Sequence, residues 1–221
     1  MTIAKNILKI KNDIGEGVQL VAVSKNKPEE DIRKAYNAGH RSFGENKVQE
    51  LVSKHMTLPN DIEWHFIGHL QTNKIRQIVQ FVHLIHGVDS LKLLQSINKE
   101  GNKINRSVCC LLQFHIAEEE TKFGLSYADA VEILSSPEFS GLANITVRGV
   151  MGMATYTNDE DQVRKEFREL KHIFDRLKDR FFKSNDQFSE ISMGMSDDYH
   201  IAVEEGSNIV RIGSSIFGER N

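Results

Sequence analysis

Short apolar runs alternate along the chain with longer amphipathic segments. The runs have the length of β-strands and occupy 19–24, 41–45, 62–68, 82–88, 107–116, 145–153, 188–194 and 208–217. Helical periodicity predicts helices between them, at 29–39, 46–56, 71–81, 90–101, 126–135, 159–182 and 197–206. Eight alternating β/α units are typical of a parallel sheet that is covered by helices.

An extra helix is predicted before the first strand. Ile3, Ile7, Ile10 and Ile14 fall on one face of a helix, and charged residues occupy the other positions. This segment has no apolar core of the kind that a signal peptide carries.

Two architectures compete for the eight units, a closed barrel and an open doubly wound sheet. The count of eight favours the barrel, although 221 residues is compact for one. The glycine fingerprint of an open dinucleotide-binding sheet is missing after the first strand, where the chain reads AVSKNKP. Because no low-complexity linker divides the chain, we expect a single α/β domain over 1–221, a (β/α)8 TIM-type barrel with an extra N-terminal helix.

The composition narrows the possible partners. A net charge of −3 gives no basic field for nucleic acid. No apolar run approaches the roughly 20 residues of a membrane span. Cys109 and Cys110 are neighbours, so in a strand they face opposite ways and a disulfide between them is not expected. These features predict a protein of the reducing cytoplasm.

Lys25 is the first candidate for chemistry. It follows the apolar run that ends at Ser24, at the end of the first strand, where a barrel has its active face. Partial burial there removes water from the amine and favours its neutral, nucleophilic form. Such an amine captures aldehyde-bearing ligands as a Schiff base.

Two other strand ends have the composition of a phosphate site. The segment SMGMSDD at 192–198 precedes a predicted helix, and RIGSS at 211–215 offers a glycine and two serines. Backbone amides at such turns bind anions, and serine hydroxyls add donors. Ser196 can equally be a helix N-cap. Arg211 can be a structural partner of Glu204 or Glu205, or it can face a ligand.

The remaining polar clusters are weaker candidates. Zinc binding by His65 and His69 is not expected, because they straddle a strand end and Gly68. The run Glu118–Glu120 is interpreted as a solvated loop, and Lys122–Gly124 as a loop that closes over the barrel mouth. The other histidines have no metal-ligand spacing and are interpreted as core or surface residues: His40, His55, His83, His86, His115, His172 and His200.

Several motifs together resemble a known family. VAVSKNKP, FGENKVQE, WHFIGHLQTNK, KFGL, RGVMGMA and SMGMSDDYHIAVEEGSNIVRIGSSIFGER occur in the order found in the pyridoxal phosphate homeostasis proteins. These are pyridoxal 5'-phosphate (PLP) binding relatives of the alanine racemase N-terminal barrel. The resemblance covers almost the whole chain.

The resemblance implies a barrel that holds PLP as a Schiff base on Lys25. It places Arg211 near the pyridine nitrogen and Asn46 and Met151 beside the ring. It assigns the phosphate to Ser192, Gly213 and Ser214, together with the amides of Met193 and Ser215. The chain departs from the family around Gly152, and Tyr156 is expected to shape the edge of the pocket differently.

The expected function is to buffer and deliver PLP, with apo PLP-dependent enzymes as acceptors and the chain as a monomer. In the resembling racemase a second base, a tyrosine, comes from a C-terminal β-domain, and this chain ends at Asn221 without one. Efficient racemisation is therefore not expected. Three alternatives stay open: a weak PLP-dependent racemase or lyase, a Schiff-base aldolase without PLP, and an interaction protein that uses a basic patch at Lys74 and Arg76.

Overall fold

Eight parallel strands close into a barrel in the computed structural model, which describes residues 2–118 and 123–218. Each strand pairs with its neighbours in sequence, and the last pairs with the first through Gln19 and Ile209. The strands are β1 (Gln19–Val23), β2 (Ser42–Glu45), β3 (Glu63–Phe66), β4 (Leu84–Val88), β5 (Val108–Gln113), β6 (Ile145–Met151), β7 (Glu190–Ser192) and β8 (Ile209–Ile212). The predicted (β/α)8 barrel is confirmed.

Helices connect the strands on the outside of the barrel. They are α1 (Ile3–Ile14), α2 (Glu29–Asn37), α3 (Val48–Thr57), α4 (Leu91–Lys103), α5 (Tyr127–Ser135), α6 (Pro137–Ser140), α7 (Glu160–Phe181), α8 (Tyr199–Glu204) and α9 (Ser214–Phe217). No helix among the described residues is both long and apolar enough to cross a bilayer.

The predicted N-terminal helix is confirmed as α1. Its stripe is buried at Ile7, Ile10 and Ile14, and the Thr2 hydroxyl caps its first turn. The Asn6 amide nitrogen donates to the carbonyl of Ile216, 2.9 Å away, so α1 is fastened to α9. Burial of this stripe against the barrel, more than helix propensity, stabilises the helix.

Three segments differ from the prediction. The helix expected over 71–81 is a shorter 3-10 helix, Thr72–Gln77. Ile75 and Ile78 are both buried, and their spacing of three residues matches the three residues per turn of a 3-10 helix. The run over 208–217 is a strand only to Ile212, and α9 follows it. The short helix α6 was not predicted; the Ser136 hydroxyl caps it and Pro137 opens it.

Among residues 2–118 and 123–218, apolar side chains form two separate clusters because strand residues alternate in direction. The larger cluster lies between the strands and the surrounding helices. The smaller one contains strand residues alone and fills the inside of the barrel: Val21, Leu84, Leu111, Met151 and Ile209. Side chains that share this inward face, or that follow it at a strand end, can meet at the carboxyl mouth of the barrel.

Candidate functional site

Lys25 lies just beyond β1 and is half-buried, as predicted. Both of its neighbours are fixed by carboxylates. The Ser24 hydroxyl donates to Glu45 Oε1 at 2.5 Å, and the backbone amide of Asn26 donates to Glu50 Oε1 at 2.6 Å. Asn26 has a left-handed backbone with φ 60°, a conformation that asparagine tolerates. The backbone around Lys25 is thus held from both sides.

A buried ion cluster supports this loop, and sequence reasoning missed its central residue. Lys54 of α3 donates to Glu45 Oε1 at 2.8 Å, to Glu50 Oε1 at 2.7 Å and to the Ser24 carbonyl at 2.8 Å. Burial raises the pKa of Glu45, and the nearby Lys54 ammonium opposes that rise. A signal was present in the sequence, because Lys54 continues the three-residue spacing of Val48 and Leu51 on the buried face of α3.

Arg211 is buried in β8 and points to the inside of the barrel. One guanidinium nitrogen donates to Ser192 Oγ at 2.5 Å, and another donates to the Gly152 carbonyl at 3.1 Å. Burial lowers the pKa of Arg211 to about 10, and the Asp198 carboxylate opposes this shift. The side chain therefore keeps its charge near neutral pH.

The structural alternative for Arg211 is wrong. Glu204 pairs with Arg164 at 2.7 Å, and Glu205 pairs with both Arg164 and Arg168, at 2.6 and 2.8 Å. Both carboxylates contact α7 on the outside of the barrel, Glu204 as the last residue of α8 and Glu205 as its C-cap. Arg211 faces the opposite way.

A chain of buried polar side chains continues from Arg211 through the barrel interior. His86 Nδ1 lies 3.0 Å from Ser192 Oγ, and His86 Nε2 lies 2.9 Å from His65 Nδ1. Burial lowers the pKa of His65 to about 3 and holds that of His86 well below its ordinary value. Both rings are neutral near pH 7. His86, interpreted as a core or surface histidine, is a core residue, and His65 is equally buried. The link of both rings to Arg211 was not predicted.

The two predicted phosphate segments meet beside β8. The Gly213 amide donates to Ser196 Oγ at 3.3 Å, and Ser214 and Ser215 are exposed at the start of α9. Ser196 is not a helix N-cap, because α8 begins at Tyr199.

Ser192 and Met193 differ from the other predicted phosphate residues. The Ser192 hydroxyl is fully buried in its bonds with Arg211 and His86. The Met193 amide donates to the Ile209 carbonyl at 3.2 Å, so it belongs to the sheet and is not directed at the mouth.

The two residues predicted to flank a ring have different depths. Asn46 is half-buried after β2, and its side-chain oxygen is buried without a hydrogen-bond partner among the described residues. Met151 lies deeper, in the cluster inside the barrel. Met153, two residues on, packs against the same cluster but is only partly buried, so it lies nearer the mouth.

Two loops lie at the edge of the mouth. Tyr156 lines a cleft of about 470 Å³ together with Met195 and Asp198. Phe123 is exposed and stacks on His69, with 4.8 Å between the ring centroids. Lys122, in the proposed closing loop, and Glu119 and Glu120, in the proposed solvated loop, lie outside the described residues.

Comparison with known proteins gives one consistent family. The sequence model of the protein family called alanine racemase, N-terminal domain, matches residues 1–221 of this chain. Curated proteins called pyridoxal phosphate homeostasis protein are 40% identical in Aquifex aeolicus, over 91% of this chain and 87% of the relative, and 34% identical in Pasteurella multocida, over 100% and 99%.

Solved structures agree with the sequence comparison. PipY of Synechococcus elongatus PCC7942, solved without PLP, is 35% identical with a TM-score of 0.90, covering 98% of this chain and 100% of PipY. The structure of the same protein with PLP bound is 34% identical to this chain in sequence, with a TM-score of 0.88. Alanine racemase of Clostridium difficile 630 is 15% identical with a TM-score of 0.73, and the match covers 56% of that enzyme. This last likeness concerns the fold alone.

Proposed function

Because this chain belongs to the family of the pyridoxal phosphate homeostasis proteins, we propose that it binds PLP through Lys25 and holds and releases the cofactor. One observation carries the proposal: a half-buried amine, a buried cation and a serine- and glycine-lined turn occupy the same end of one barrel. PLP carries an aldehyde, a ring nitrogen and a phosphate, which these three groups complement.

Lys25 supplies the covalent attachment in this proposal. Its amine and the aldehyde condense to a C=N bond with loss of water, and water reverses the reaction. Glu45 holds the Ser24 hydroxyl and Glu50 holds the Asn26 backbone amide, so the amine is presented from a rigid loop. Reversible attachment is what a carrier needs.

Arg211 favours holding the cofactor over catalysis. A guanidinium donates hydrogen bonds and accepts none, so a ring nitrogen that faces it stays unprotonated. An unprotonated pyridine is a weaker electron sink, and electron withdrawal is the chemistry that PLP supplies in enzymes. In this proposal Asn46, with its unpartnered oxygen, and the partly buried Met153 contact the ring, and Met151 lies deeper, in the cluster inside the barrel.

We assign the phosphate to Ser196, Gly213, Ser214 and Ser215. The first amides of α9 have no partner within the helix and can donate to an anion. Ser192 is better assigned to Arg211, because its hydroxyl is fully buried between the guanidinium and the His86 ring, whereas Ser214 and Ser215 are exposed. A Cβ on Gly213 would come 3.2 Å from the Val23 carbonyl, so this turn packs closely on β1.

The wider role remains part of the proposal. Apo PLP-dependent enzymes are the expected acceptors, the helices that cover the barrel suit a monomer, and the unpaired thiols of Cys109 and Cys110 suit a reducing cytoplasm.

The test begins with the absorption spectrum of the purified protein before and after borohydride reduction. A visible PLP band that disappears on borohydride reduction, with the reduced cofactor left as a secondary amine on the peptide carrying Lys25, supports the proposal. Lys25→Ala should be colourless, and Lys47→Ala, an exposed lysine in the next βα loop, should keep the band. A reduced adduct on another lysine, or no band, would contradict the proposal.

A second measurement separates a carrier from an enzyme. The loaded protein should transfer PLP to an apo-enzyme, measured as recovered activity of that enzyme. Steady conversion of an L-amino acid to its D-form that disappears in Lys25→Ala would instead favour the racemase.

A further inference from the structure

Three side chains with metal-binding atoms meet at the amino-terminal end of the barrel, opposite the end that carries Lys25. Glu63 opens β3, His65 lies two residues further on the same face, and His83 immediately precedes β4. Because β3 and β4 are parallel and His65 pairs with Leu84, these residues lie side by side. One ligand atom from each lies within 4.8 Å of the others.

His65 is the fixed member of this group. It is completely buried, and its Nε2 has no hydrogen-bond partner among the described residues, whereas Nδ1 is held 2.9 Å from His86 Nε2. An unpaired buried ring nitrogen costs free energy unless it finds a partner. The neutral imidazole can give that nitrogen to a metal ion.

Glu63 is oriented by its own hydrogen bonds. Its Oε2 accepts from the Ser42 hydroxyl at 2.7 Å, and Ser42 Oγ accepts from the Gln19 amide at 3.1 Å. Metal-binding carboxylates and imidazoles are commonly held in this way by a further layer of hydrogen bonds. Here Ser42 holds the carboxylate and His86 holds the imidazole.

We propose that Glu63, His65 and His83 bind a divalent transition-metal ion, with Zn²⁺ the best match. Two imidazoles and one carboxylate are a ligand set typical of zinc, which leaves a fourth position for water. Mg²⁺ and Ca²⁺ prefer oxygen ligands throughout and fit less well. This assignment replaces the interpretation of His83 as a core or surface histidine without metal-ligand spacing.

The geometry requires only a small adjustment. Ligand atoms around a tetrahedral zinc at 2.0–2.1 Å lie roughly 3.3 Å apart, so an atom pair at the observed limit must close by about 1.5 Å. His83 is accessible to solvent and can rotate to close this distance, whereas His65 is completely buried and Glu63 is held by Ser42.

A metal ion at His65 Nε2 would also determine which ring nitrogens of His65 and His86 carry a hydrogen. The proton of that ring must then sit on Nδ1 and donate to His86 Nε2, and His86 must donate from Nδ1 to Ser192 Oγ. The amino-terminal site is thereby connected to the hydroxyl that holds Arg211.

The test titrates the purified full chain with Zn²⁺ in a calorimeter and with Co²⁺ in the visible spectrum. We expect one ion per chain and cobalt bands of tetrahedral intensity. His83→Ala and Glu63→Gln should each weaken binding at least tenfold, and His172→Ala, an exposed histidine on α7, should leave it unchanged. Zinc should raise the melting temperature of the unmutated protein and not that of His83→Ala.

Two results would overturn the site. One is binding that is absent, or that survives both His83→Ala and Glu63→Gln. The other is a cobalt–thiolate band in the near ultraviolet, which would assign the ion to the partly exposed Cys109 instead. Because PLP binding does not enter these measurements, their failure leaves the proposed function untouched.

Discussion

Lys54 binds the Ser24 carbonyl beside Lys25, and because it is buried its substitution is expected to affect stability strongly. Its side chain is 6% exposed, and its Glu45 partner is completely buried. Removing one partner of a buried ion pair leaves the other charge without compensation, which costs far more than losing a surface pair.

Lys54→Met is therefore expected to lower the free energy of unfolding by about 3–5 kcal/mol, measured by urea denaturation. The double variant Lys54→Met/Glu45→Gln should recover part of the loss, because it removes the stranded carboxylate. Lys34→Met breaks two surface ion pairs within α2, with Glu30 and Asp31, and should show no measurable change. Equal losses in the Lys54 and Lys34 variants would contradict the role of the buried cluster.

Single residues were predictable where the sequence marks a position, and not where function depends on a contact in space. Lys25 and Arg211 interrupt or end apolar runs, and both lie at the carboxyl end of the barrel as predicted. His83 and Glu63 lie 20 residues apart and meet only because β3 and β4 are parallel neighbours. No spacing rule for a single helix or loop detects such a pair.

The turn between β7 and α8 positions the strand that carries Arg211. Gly194 has φ +95°, and its carbonyl accepts from the Arg211 amide at 3.0 Å. A Cβ at this residue would lie 2.6 Å from the Ala202 Cβ and 3.0 Å from the Tyr199 Cα. The turn has no room for a side chain.

Gly194→Ala should destabilise the protein more than Gly206→Ala, although both glycines have φ +95°. The left-handed backbone costs both variants about 1–2 kcal/mol. A Cβ on Gly206 would meet only flexible Lys171 methylenes, the nearest at 3.3 Å. The additional loss in free energy of unfolding is therefore expected in Gly194→Ala alone. Urea denaturation measures it, and a PLP titration should show weaker binding in Gly194→Ala alone. Equal effects of the two changes would show that contact with α8 is unimportant.

Elements were predicted well where they bury a regular stripe. The apolar stripe of α7 predicts 159–182, and the helix covers Glu160–Phe181. Strand ends were overestimated, because apolar residues such as Met153 continue beyond the sheet to line the mouth. A pattern of hydrophobicity records burial, and burial in this barrel extends past the last ladder hydrogen bond.

The whole barrel has two chemically different ends connected by polar side chains through an apolar interior. The carboxyl end contains the cationic Arg211 and the Lys25 loop, and the amino end contains Glu63 and His65. Between them, His86 and Ser192 pass beside the interior apolar cluster. Neutral buried histidines make this arrangement compatible with a folded core, but they also make it sensitive to acid.

Stability is expected to fall as the pH drops below 6.5, measured by urea denaturation at several pH values with a chelator present. Burial lowers the pKa of His40 to about 4 and that of His65 to about 3, and it lowers that of His86 as well. In the unfolded chain these rings bind protons near pH 6.5. The unfolded state then binds more protons than the folded state, so stability rises with pH through this window and is lost on acidification.

His40 provides the matched variant for this pH dependence. Its shift corresponds to on the order of 3 kcal/mol across the window, and each extra proton adds a slope of about 1.4 kcal/mol per pH unit. Gln in place of His40 can still donate to the Ser42 carbonyl, which His40 Nε2 contacts at 2.8 Å, but it cannot titrate. His40→Gln should therefore reduce the slope by about one proton, and the exposed His172→Gln should not.

Nearer the ordinary carboxyl range the dependence of stability on pH should flatten. Burial raises the pKa values of Glu45, Glu190 and Asp198, so the folded state binds protons at these groups more readily than the unfolded state and is favoured in acid. A free energy of unfolding that stays constant between pH 7 and the start of that range would contradict the neutral, buried state of the histidines.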